Sequence, residues 1–399
     1  MEQKVSALYS HYIIDGVRQN ASPAELLAEC SEASDRLPEK CTGDYADIID
    51  ESPEPPLAAF SSNESSVEEY LRLTSEADIP ERPFPILYPE SFTTLKIAEK
   101  LIDMIWREGH FRLGNLRINA EWKWDMSPVG NMSAFYKSAS AASTYLYDIG
   151  VRLSDYSFSV CTSGERFIAE AWLPEKEPDT ECPGDAAGTP DADNEFFCQE
   201  IPFRLPYESR HPWAGASRKC SSRFLEDAGG MLIYIPFDTC RYRLGGSLLS
   251  WTSGHTGGQP AGIQDPDYFI DCYEVVRELV EDGIILSGAT VADGGLITAA
   301  AGMLAGDGGL DLDISGLLAS FREDDPVRIL FGEVPGTLVQ VSDGNLDYFD
   351  SQLLLQDVAY YPVGRFSGSH KGICIAESAR AGVADIIASL LEQTSEGED

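Results

Sequence analysis

Residues 287–306 read SGATVADGGLITAAAGMLAG. A β-prone run, a doubled glycine and a helix built almost wholly of Ala, Gly, Leu and Ile follow one another directly. Small residues let such a helix approach a sheet closely, and Gly294 and Gly295 open backbone paths closed to other residues. The stretch commits this part of the chain to a strand, a tight turn and a helix folded back on a sheet, as in mixed α and β architectures. A turn of this kind presents N–H groups at a helix start, where an anion binds without a charged side chain. Asp293 is the single acid in the stretch, and its place just before the helix suits an N-cap ahead of a catalytic role.

The surrounding pattern extends this reading. A chain of 399 residues that is 43% hydrophobic has room for two cores and an extension. Residues 1–82 are acidic, with SPEPP at 52–56 and SSNESS at 61–66, and are expected to be an extension with short amphipathic pieces at Pro23 to Cys30 and Val67 to Leu73. From Pro83 the texture changes. In FTTLKIAEKLIDMIWREG the positions Leu95, Ala98, Leu101, Ile102 and Ile105 recur at three and four, which predicts a helix facing a core. NLRINAEWKW reads as a strand, AFYKSASAASTYLYDIGV as a second helix ending near Gly150, and SFSVCTSGERFIAEAWLP as a hairpin. Residues near 173–196 form an acidic insertion suited to solvent. After Gly230 the pattern alternates: MLIYIPF, GGSLLSW, a helix from Asp267 to Glu281, IILSG and the helix from Gly295. Strand candidates GLDLDI, VRILFG, GTLVQV, VAYYPVGRF and GICIAES follow, with a closing helix from Ala379 to Leu391. The expected division is 1–82, 83–229 and 230–399.

Charge and motif content remove several function classes. A net charge of −37 repels nucleic acid and anionic membrane alike, so neither is an expected partner. The chain has no apolar run long enough to span a membrane, and its start has no signal-peptide pattern. Its nine cysteines include no C-x-x-C pair, which fits reduced thiols in a cytoplasmic protein. P-loop, dinucleotide-fingerprint, H-E-x-x-H and nucleophile-elbow motifs are absent, and the five histidines share no metal-ligand spacing. Trp122 and Trp124 read as packing anchors.

Several ordered segments carry a family resemblance. RLGGSLLS, VADGGLITAAAGMLAGDGGLDLDI and ILFGEVPGTLVQV resemble the C-terminal domain of the aminoimidazole ribonucleotide synthetase (PurM-like) superfamily. Upstream, YPESFTTLKIAEKLIDMI, LGNLRINAEWKWDM and SAFYKSASAASTYLYDIGVRL are similar to the N-terminal domain of the second half of phosphoribosylformylglycinamidine synthases. The resemblance covers roughly residues 83–395. It implies an α+β (α/β) fold of PurM-like two-domain architecture, with an N-terminal barrel-forming α/β domain and a C-terminal α/β domain. It further implies ATP or ADP with Mg²⁺ in the cleft and a ligase of de novo purine biosynthesis, in which ATP activates an amide oxygen of formylglycinamide ribonucleotide and ammonia displaces phosphate. The implied partner is a companion polypeptide carrying the first half or a glutaminase, or a second copy joined through the N-terminal-like domain. A noncatalytic scaffold or nucleotide-binding subunit of the same superfamily is the rival reading.

Carried over residue by residue, the resemblance is mixed. Glu99 and Asp103 match a helical metal-binding pair. Spacing of four puts both carboxylates on one face, where they could share a hard cation or stand as two solvated acids. Gly245, Gly246 and Ser247 match a phosphate-proximal turn, which a plain tight turn would equally explain. The family's His-Asp-x-Ser-Asp-Gly-Gly turn stands here as Ala289 to Gly295, keeping Asp293, Gly294 and Gly295 while losing the first Asp and the Ser; Thr290 and Ala292 replace them. The family's Gly-Lys-Asp-Ser loop matches residues 154–157, where only Ser157 survives. Glu333 matches a family acid before a strand. No residue is assigned a catalytic role.

Overall fold

The computed structural model describes residues 7–32, 44–47, 84–174 apart from 129 and 163, 217–252, 258–304, 308–369 and 372–375. The fold is α+β, with three sheets and helices packed between and around them. The N-terminal segment opens with the hairpin β1 (His11–Ile14) and β2 (Val17–Arg18), turned by Asp15 and Gly16 at φ 49° and 77°. Two successive positive φ values form the turn that matches strand twist, which is why Asp-Gly stands there. Helix α1 (Pro23–Cys30) begins with a capping box between Ser22 and Glu25, and β3 (Asp44–Asp47) returns parallel to β1. The helix expected at Pro23 to Cys30 is therefore present. This segment is more than an appendage, because Tyr12, Ala24 and Leu27 are fully buried. Val67 to Leu73 lies outside the described residues, as does nearly all of the acidic insertion.

Helix α2 (Pro89–Met104) starts at Pro89 and buries Ala98, Leu101, Ile102 and the following Ile105 completely, as the three-and-four spacing predicts. It packs on α3 (Asn131–Asp148) and on the second sheet, β4 (Arg117–Trp124), β5 (Arg152–Val160) and β6 (Arg166–Trp172). Alternate residues of β4 are buried, and they include both tryptophans. Trp122 donates to Ser138 Oγ at 2.8 Å and Trp124 to the Asn131 carbonyl at 2.7 Å, so each indole N–H is paired inside the core.

The sheet corrects one expectation. β5 and β6 are not a hairpin: the strand order is β5-β4-β6, with β5 parallel and β6 antiparallel to β4. The link after β5 passes over the end of β4, where Cys161 N–H bonds the Trp124 carbonyl at 2.9 Å. Crossing one strand spans about 10 Å, which a link of this length reaches.

The third sheet has the order β12-β9-β11-β7-β10-β8 and comprises β7 (Met231–Pro236), β8 (Ile285–Val291), β9 (Gly309–Leu312), β10 (Gly336–Val341), β11 (Tyr361–Ser367) and β12 (Gly372–Ile375). Its pairs are antiparallel except β9 with β12. Both faces are covered. Ile233, Ile235 and Val339 join α5 (Pro266–Glu281) in one core that also holds the tryptophans, while Leu232, Tyr234 and Leu338 face a second core. That is why MLIYIP and GTLVQV are continuously apolar instead of alternating.

The second core contains α4 (Leu248–Thr252), α6 (Gly295–Met303), α7 (Ser315–Phe321) and α8 (Pro326–Phe331), and α9 (Leu346–Leu355) packs against α5. VRILFG, expected as a strand, is α8: Asp325 caps it by accepting from Val327 N–H at 3.0 Å, and Pro326 occupies its first turn. The expected closing helix from Ala379 lies outside the described residues.

Candidate functional site

Helix α2 runs past the turn that joins β8 to α6, and the polar face of one meets the other. Lys96, Glu99 and Asp103 share that face at spacings of three and four. The Lys96 ammonium lies 2.9 Å from Glu99 Oε2, 2.8 Å from Asp293 Oδ1 and 3.0 Å from Asp293 Oδ2. Lys100 takes the other Glu99 oxygen, Oε1, at 2.8 Å. One lysine therefore bridges helix and turn, and Glu99 has an ammonium on each oxygen.

The electrostatics follow from this packing. Burial alone would raise the Glu99 carboxyl, but Lys100 and Lys96 outweigh it and hold Glu99 below the usual range. Burial works against the Lys100 charge, and Glu99 and Asp103 overcome it, raising Lys100 above its ordinary value. Asp103 sits one turn further along and is pushed up by burial, against the pull of Lys100 and a hydrogen bond with Thr290. Thr290 also accepts from the Trp106 indole at 2.9 Å.

Beside this bridge lies a second internal pairing. Glu333, between α8 and β10, accepts through Oε1 from Gly294 N–H at 2.9 Å and from Leu248 N–H at 2.8 Å. The starts of α6 and α4 therefore point at one carboxylate of the chain itself, which occupies the place an external anion would take. Lys96, Glu99, Asp293, Glu333, Phe92 and Pro335 line the small space left, a cavity of about 20 Å³. That is room for a water molecule.

Each residue expected at the site has a definite place. Glu99, Asp293 and Gly294 come together. Asp293 is not an N-cap, because Gly294 occupies that position at φ 82° and the Asp293 carboxylate turns to Lys96. Gly295, at φ 73°, is required by packing: a Cβ there would lie 2.7 Å from the Leu330 carbonyl oxygen. Ser247 is buried and its Oγ accepts from Ser250 N–H at 3.1 Å, while Gly245 abuts the Gly258 backbone and Gly246 turns at φ 66°. That segment is a tight turn closed by its own chain. Ser157 lies in β5 opposite Glu121, apart from the residues lining the cavity.

Tested against this geometry, Glu99 and Asp103 do not fit a shared divalent cation. Both Glu99 oxygens are engaged by ammonium groups, Asp103 faces Lys100 and Thr290, and the turn supplies Asp293 to Lys96. No cluster of three or more His, Cys, Asp or Glu suited to a metal occurs among the described residues. The two lysines were not assigned to the site from sequence, and Glu333 was matched there only to a family acid before a strand. KIAEK, with a lysine three before and one after Glu99, was the visible signal.

Among known proteins the chain is similar to phosphoribosylformylglycinamidine synthases. It is 23% identical over 295 residues to a probable phosphoribosylformylglycinamidine synthase, chloroplastic/mitochondrial, of Arabidopsis thaliana, covering 73% of this chain and 18% of that protein. With the Homo sapiens phosphoribosylformylglycinamidine synthase it shares 23% identity over 262 residues, 65% of this chain and 17% of that one. A 75-residue stretch is 41% identical to the probable membrane antigen 75 of Equine herpesvirus 2, covering 18% of this chain and 5% of that protein. Among solved structures, T. maritima PurL complexed with AMPPCP is similar at TM-score 0.47 and 11% identity, covering 79% of this chain and 47% of that one. No family model matches the chain. The resemblance seen in the sequence thus holds over most of the chain, which spans about a fifth of the length of the synthases it matches. No helix among the described residues is long and apolar enough to cross a membrane.

Proposed function

We propose that this chain is a phosphoribosylformylglycinamidine synthase-type scaffold, equivalent to the second half of that enzyme, in which the metal and phosphate positions are filled by the chain's own side chains. It supports the architecture of the purine-biosynthetic ligase without itself turning over ATP. The division at 83–229 and 230–399 belongs to the same proposal, as does a companion carrying the first half and a glutaminase. A cytoplasmic home is consistent with the free cysteines at 30, 161, 220, 240, 272 and 374.

The observation that carries this reading is the Lys96 bridge between Glu99 and Asp293, with Glu333 on the N–H groups of Gly294 and Leu248. ATP or ADP with Mg²⁺ would have to displace both. Phosphoryl transfer depends on positioning phosphates and neutralising their charge, and this cleft offers neither an open N–H cradle nor an uncommitted metal ligand pair. The test is an assay of the purified chain with formylglycinamide ribonucleotide, Mg·ATP and ammonia. Phosphate release at the blank rate is expected, and turnover dependent on the ribonucleotide contradicts the proposal.

A further inference from the structure

We infer that the Lys96 ammonium is a built-in replacement for a divalent cation, joining helix α2 to the β8–α6 turn so that the cleft closes without metal. An ammonium has three donors. Three carboxylate oxygens face Lys96 Nζ at 2.8 to 3.0 Å: Glu99 Oε2, Asp293 Oδ1 and Asp293 Oδ2. Those separations suit N–H···O bonds. Mg²⁺ holds oxygens at about 2.0 to 2.1 Å and Ca²⁺ at about 2.3 to 2.6 Å, so the same oxygens would have to contract around a metal.

Charge points the same way. Glu99 and Asp293 come from segments far apart in sequence and would repel across the cleft without a cation between them. Lys96 supplies that cation, with Lys100 on the outer Glu99 oxygen. A metal ion in the place of the ammonium would join Glu99 to Asp293, and Lys96 already joins them. The idea rests on the reading of the cleft given above, but makes a claim of its own: deleting one positive charge converts a metal-indifferent site into a metal-responsive one.

The experiment compares thermal unfolding of the full chain and of Lys96→Met in chelator and in millimolar Mn²⁺, with ionic strength matched by NaCl. The matching and one further variant are needed because an acidic surface attracts divalent cations in general. Native protein is expected to show no Mn²⁺-specific shift. Lys96→Met is expected to melt lower in chelator and to regain about 3 to 5 °C at a hundredfold excess of Mn²⁺ over its dissociation constant. Lys96→Met/Asp293→Asn is expected to lose that regain. Lys96→Arg keeps a cation in place and should behave like native protein.

A Lys96→Met chain that folds only when Mn²⁺ is supplied also supports the inference. Three results overturn it: one-to-one Mn²⁺ binding by native protein at this cleft, a Lys96→Met variant that gains no Mn²⁺ response whether folded or not, and a response that survives Asp293→Asn. Native protein that binds Mg·ATP while these metal results hold would instead defeat the scaffold proposal and leave the role of Lys96 standing.

Discussion

Glu333 shows how much of this cleft is decided by single side chains. Its Oε1 receives the N–H groups of both Gly294 and Leu248, so one carboxylate satisfies donors at two helix starts. Glu333→Ala leaves both without that acceptor and should cost about 2 to 3 kcal/mol in urea unfolding, whereas Glu333→Gln retains a carbonyl oxygen and should cost less. Glu281 makes a comparable bridge, to Arg277 at 3.1 Å, Arg112 at 3.2 Å, His110 at 2.7 Å and the Phe111 N–H at 3.3 Å. Burial opposes its charge, but Arg277, the Phe111 N–H and Arg112 prevail and hold it below its ordinary value of 4.5. A carboxyl depressed by folding contributes stability above its unfolded value and loses it as pH falls through the folded one. Glu281→Gln should therefore be less stable than native protein at pH 7, and the gap should narrow as pH drops below 4.5.

At the scale of elements, helix α6 explains the glycines that frame it. Gly295 has positive φ and meets the Leu330 and Phe331 backbone of α8, while Gly302 in the same helix faces open space. Gly295→Ala should destabilise by about 3 kcal/mol or more through strain and overpacking, and Gly302→Ala should stabilise by about 0.5 to 1 kcal/mol through helix propensity. Chemical denaturation of the two variants measures both signs. Helix α2, the tryptophan-bearing strand β4 and the strand–turn–helix around Gly294 were legible in the sequence because their periods and turn residues are local. α8 was not, since VRILFG is as apolar as a strand and only Asp325-Pro326 marks a helix start. The β5-β4-β6 order was also hidden, because strand pairing is decided by packing that adjacent residues do not encode. The role of Lys96 was not legible for a related reason: its partner Asp293 lies 197 residues away.

For the whole molecule, the two cores share the third sheet, one on each face, and α2 spans from the tryptophan core to the turn before α6. Where α2 meets that turn, the polar side chains Lys96, Glu99, Asp293 and Glu333 are paired within the chain. The central claim is that the cleft between α2 and the Asp293 turn is already filled. Isothermal titration of the native chain with Mg·ATP tests it most directly. No saturable heat at millimolar nucleotide is expected. One-to-one binding that is abolished by a large substitution at the cleft, such as Ala292→Trp, would contradict the account.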